Sequence, residues 1–78
     1  MIATLPSIRL AYLVVTGDVI PGDKPFVKAG EEVIKEIGIK RAQKLFAQCA
    51  TVISNHPVIN DYRDLVQEVT VLQQEARA

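Results

Sequence analysis

The sequence predicts an all-α fold, a compact four-helix domain running over residues 1–78 as one unit. Three observations carry that expectation. Apolar residues recur at helical spacing through most of the chain after Pro25, and the strict alternation of a half-exposed strand is absent. Breaks at Gly38 and at the run Ser54–Pro57 divide this periodic stretch into helix-sized lengths. The composition, 49% apolar with no Trp and few aromatics, calls for an aliphatic core rather than a disordered chain.

The first element, Leu5–Thr16, has split local preference. Val14, Val15 and Thr16 favour a strand, whereas Leu10, Ala11 and Leu13 favour a helix. Arg9 is its only charge. A lone strand would leave its backbone N–H and C=O groups unpaired, so a buried helix is expected. Gly17, Pro21, Gly22 and Pro25 then mark a long turn, either the corner between two helices or part of a hairpin.

The second helix is expected over Lys24–Ile37. Phe26, Gly30, Val33, Ile34 and Ile37 share its inner face, with Lys28, Glu31, Lys35 and Glu36 opposite. Gly38 sits where a helix end wants a residue free to adopt positive φ. The third helix, Ile39–Ser54, repeats the pattern with Ile39, Ala42, Leu45, Phe46, Cys49 and Ile53 inward and Lys40, Arg41, Lys44 and Gln48 outward.

The fourth helix is expected over Pro57–Ala76. Ser54 or Asn55 can cap it, and Pro57 suits a first turn because its missing N–H would be unpaired there. Asp61 and Asp64 suit the positive end of the helix dipole and Arg77 the negative end. Val58, Tyr62, Leu65, Val69 and Leu72 step by four and three, a narrow heptad-like seam widened by Ile59 and Val66.

The run "YLVVTGDVIPGDKPFVKAGEEVIKEIG", Tyr12–Gly38, resembles a segment of the phycobiliprotein subunits, allophycocyanin especially. Tyr12, Val14, Val15, Gly17, Asp18, Val19, Pro21, Glu32 and Gly38 match that pattern without a gap. The resemblance covers about a third of the chain well and the remainder only in length. It implies a globin-like or phycobiliprotein-like helical hairpin followed by two further helices. It does not imply a covalent pigment site. The family's attachment Cys and its Arg and Asp neighbours precede the matched segment, where this chain has "MIATLPSIRLA". A weaker resemblance links "HPVINDYRDLVQEVTVLQQEA" to the small helical YlbF/YmcA-type regulators, whose paired helices dimerise.

Chemistry-bearing residues are few. Cys49 and His56 are the only soft ligands or nucleophile–base candidates, and two residues fall short of the four a zinc site needs. Cys49 lies on an apolar stripe and reads as a core thiol; His56, before Pro57, reads as a solvated loop residue. Asp18, Asp23, Asp61 and Asp64 fall at turns or helix starts, where capping and dipole effects account for them. No enzyme activity and no cofactor are expected.

The expected role is helix-mediated assembly. The seam of the last helix and an almost wholly apolar first helix together exceed what four short helices can cover. A homodimer, or a complex with a related helical subunit, is therefore expected, with Val58, Tyr62, Leu65, Val69 and Leu72 at the contact. The alternative is a helix-turn-helix regulator acting on DNA through Lys40, Arg41, Gln43 and Lys44. Against it, Ile34 stands where the motif wants a small residue, and zero net charge gives no overall push toward nucleic acid. Met1–Ile20, interrupted by Pro6, Arg9 and Asp18, is short of the ~20 apolar residues of a membrane span. With a single cysteine fitting a reducing compartment, the expected home is the cytoplasm.

Overall fold

The described residues form four α-helices and one short 3-10 turn: α1 Leu5–Thr16, α2 Phe26–Ile37, α3 Ile39–Ser54, a 3-10 turn Tyr62–Leu65, and α4 Val66–Arg77. The computed structural model describes residues 4–77, and the side chain of Arg77, expected at the last helix's negative end, lies outside the described part. No strand occurs among the described residues. The all-α expectation is met, and α1 and α3 have the bounds read from the sequence.

Helix α1 occupies the centre. It packs against α2, α3, the 3-10 turn and α4. Leu10, Ala11, Tyr12 and Leu13 are all buried, and four consecutive positions at 100° per residue go once round the helix. A helix covered all round at its middle turn has no polar face there, hence no 3.6-residue period. Its start is tied by Ser7, whose buried hydroxyl donates to the Thr4 carbonyl at 2.8 Å. Its end is set by Gly17 at φ 79°, whose N–H bonds back to the Leu13 carbonyl at 2.8 Å.

Helix α2 turns Ala29, Gly30 and Val33 inward, with Phe26, Ile34 and Ile37 half-buried beside them. It starts at Phe26, two residues later than expected, because Lys24 closes a turn by donating its N–H to the Pro21 carbonyl. Gly38, at φ 86° and ψ 157°, ends α2 and starts α3 in a single residue. Helix α3 buries Ala42, Leu45, Phe46, Cys49 and Val52, a stripe spaced by three and four.

The fourth helix departs from expectation at its start. Pro57 does not open it; residues 55–61 form a link, and helical structure begins at Tyr62. The cap is Asp61, whose Oδ1 accepts from the Arg63 N–H at 3.0 Å. Asn60 and Asp61 hydrogen-bond locally in extended or turn conformations more readily than they extend a helix, so the start moves to Asp61. His56 Nε2 meets Glu68 Oε2 at 2.7 Å and clasps the link to α4.

One aliphatic core results, built around Leu10, Val33, Leu45, Phe46 and Val69. The Cα radius of gyration is 11.5 Å, equal to the ~11.5 Å of a compact domain of this length.

Candidate functional site

The expected contact seam does not form one surface stripe. Leu65 is 4% exposed and Val69 is fully buried, both inside the chain's own core. Tyr62 and Leu72 are half-buried against that core, and Val58 stands alone at 78% exposure in the link. The stripe is real, but it closes α4 onto this chain. The all-round apolar α1 needed a third wall, and α4 supplies it. Leu65 and Val69 therefore face this chain's own core.

Cys49 is a core thiol. It is fully buried, and desolvation pushes its pKa up to about 12, far from a reactive thiolate. His56 sits in the link, half-buried, engaged with Glu68. Asp61 is held below the usual carboxylate range by the Arg63 side chain and backbone N–H. Asp18, Asp23 and Asp64 are exposed. Among the described residues, no three His, Cys, Asp or Glu side chains are grouped to hold a metal ion.

Lys40, Arg41, Gln43 and Lys44 are all exposed on the outer face of α3. Two of them, Arg41 and Lys44, border a hollow of about 430 Å³ whose apolar part is Val14, Val15, Ile37 and Leu45. Glu36 lies on the same rim, and Gln48 and Gln73 complete the lining from α3 and α4. Val14 and Val15 are half-buried. They bring an apolar part of the central helix toward the surface.

Two features of the corner were not foreseen from sequence. Lys24 Nζ donates to Glu32 Oε2 at 2.6 Å and to the Tyr12 hydroxyl at 3.2 Å, so it joins α1 to α2 through two residues of the Tyr12–Gly38 run. Its charge is held on, and that of Glu32 too: hydrogen bonding to Glu32 and Tyr12 raises the Lys24 pKa, and hydrogen bonding to Lys24 lowers that of Glu32. The Arg9 guanidinium lies over the Phe26 ring at 5.4 Å and the Tyr62 ring at 5.9 Å. Its signal in the sequence was a lone charge on an apolar helix; the two rings come from distant positions, so no local pattern pairs them.

Comparison of the chain with protein-family models, with curated proteins and with solved structures finds no match.

Proposed function

We propose that the protein is a non-enzymatic helical assembly module, which associates with a second copy or with a related helical subunit in a cytoplasmic setting. The observation that carries this reading is the hollow of Val14, Val15, Ile37 and Leu45 between the long polar side chains of Arg41, Lys44 and Glu36. Apolar floors with charged rims accept the apolar face of an amphipathic helix, the floor supplying affinity and the rim orientation. The phycobiliprotein-like run Tyr12–Gly38 supports the same reading, because that family builds assemblies from helical subunits. Without a matching attachment Cys, the module acts without a covalent bilin.

Sedimentation velocity at micromolar concentration tests this. The unmutated chain is expected to run as a dimer, or to co-sediment with a helical subunit from its source. Val15→Lys is expected to release a monomer with unchanged far-UV circular dichroism. A cation suits the last turn of α1, so the variant charges the hollow without opposing the helix dipole. A well-folded monomer that binds no helical protein would overturn the proposal.

A second reading is a DNA contact through the same α3 face, favoured by the exposure of Lys40, Arg41, Gln43 and Lys44 together. It requires binding to a labelled duplex that weakens steeply with salt and is lost when Lys40 and Lys44 become Ala.

A further inference from the structure

We propose that the hollow beside the α1–α2 corner is a binding site for a small organic anion with an apolar body, such as a medium-chain carboxylate, with Arg9 as the residue that takes the charged end. The hollow has a volume of about 420 Å³ and includes Leu13, Val19, Ile20 and Pro21 in its lining. That volume falls in the range of small-ligand pockets, and the mix of apolar wall and few polar groups is their usual composition. Both charged side chains lining it, Arg9 and Lys24, are cations, and no carboxylate does.

The two cations differ in availability. Lys24 is already engaged by Glu32 and by the Tyr12 hydroxyl, so it contributes mainly its stem and a favourable field. Arg9 forms no ion pair among the described residues. It is held instead by two aromatic rings, Phe26 from α2 and Tyr62 from the 3-10 turn. Cation–π attraction to neighbouring rings restrains a guanidinium without using its N–H groups, and those groups match a carboxylate in bidentate fashion. An Arg without such neighbours pays more rotamer entropy to bind an anion than one restrained beside two rings. A pre-positioned cation without a carboxylate, at the mouth of an apolar hollow, is complementary to an amphiphilic anion.

This site is separate from the α3 hollow proposed for assembly, so either proposal can fail alone. The test is titration of isotope-labelled full-length protein with octanoate, followed by amide resonances, with octanamide as the uncharged isostere. Octanoate is expected to cause saturable shifts at Leu13, Val19, Ile20, Gly22, Phe26 and Tyr62, and octanamide to bind at least about tenfold more weakly, the loss of one charge-assisted contact. Arg9→Gln should lose about the same factor, and Arg9→Lys should retain part of the affinity because it keeps charge but not the planar fork. Equal binding of octanoate and octanamide would overturn the proposal, leaving an apolar hollow without anion recognition. So would the absence of saturable shifts at the corner, or shifts centred on residues 40–44. The octanoate–octanamide comparison uses the unmutated chain, so it decides the matter even if an Arg9 variant folds poorly.

Discussion

Cys49 illustrates how burial removes chemistry from a nucleophile that the sequence already places on an apolar stripe. Thiol reagents attack the thiolate, and a pKa pushed up to about 12 leaves very little of it at pH 8. Modification of the folded protein by a disulfide reagent at pH 8 is expected to be at least about a hundredfold slower than in denaturant, as expected where attack must await opening of the structure. Rapid reaction of the folded chain would contradict a buried thiol. At the same scale, the Lys24–Glu32 pair sets a direction for pH dependence. The Glu32 pKa is lowered on folding, so its contribution is present above the ordinary carboxylate value and is lost as pH falls through the folded value. The Lys24 pKa is raised, so its contribution is present below the ordinary amine value and is lost as pH rises through the folded one. Both partners are solvent-accessible, so the effect is small. In thermal melts, Glu32→Gln should flatten part of the wild-type decline below about pH 4.5 and leave the shape between pH 6 and 8 unchanged. An identical acid limb in both proteins would show that the pair carries no stability.

Among the elements, two glycines that look alike in the sequence should respond oppositely to Ala. Gly30 lies within α2, and a Cβ there would meet Ile8 Cδ1 at 3.9 Å, an ordinary contact. Gly30→Ala is therefore expected to stabilise the protein by about 0.5–1 kcal/mol, from reduced freedom of the unfolded chain and better helix propensity. Gly38 is at φ 86° and links α2 to α3. Gly38→Ala has open space but the wrong backbone, and should destabilise by about 1 kcal/mol or more. Denaturant unfolding of both variants measures the two signs. The start of the fourth helix is the element the sequence misplaced. Pro57 after a capping residue is a valid local start signal, as is Asp61; the choice between them depends on the link that lets α4 return across α1 and α3.

For the whole molecule, the central position of α1 predicts where the fold is most fragile. Leu10 is fully buried, on the helix that every other element packs against. Leu10→Ala should cost about 2–5 kcal/mol, a large part of the roughly 4–12 kcal/mol available to a chain of this size. Equilibrium denaturation is the measurement, and a loss below about 1 kcal/mol would contradict a central α1. Leu65→Asp and Val69→Asp are expected to unfold the protein rather than split an assembly, since each would place an unpaired charge in the chain's own core. Loss of folded signal separates that outcome from dissociation, for which Val15→Lys is the appropriate variant.

The sequence by itself determined the helical class, the bounds of α1 and α3, the stop at Gly38 and the core role of Cys49. These follow from interactions within a few residues: periodicity, helix-end conformations and the presence of apolar neighbours three and four positions away. It also determined that α1 is apolar nearly all round, which is the pattern of a central helix. What it could not determine is which apolar face covers which. The seam of Leu65 and Val69 is equally suited to a partner chain or to its own α1, and periodicity is the same in both cases. Only the tertiary structure assigned it inward, left Val14, Val15 and Ile37 at an outer hollow, and brought Phe26 and Tyr62 beside Arg9. Packing between elements depends on the three-dimensional course of the chain, and a one-dimensional pattern carries no record of it.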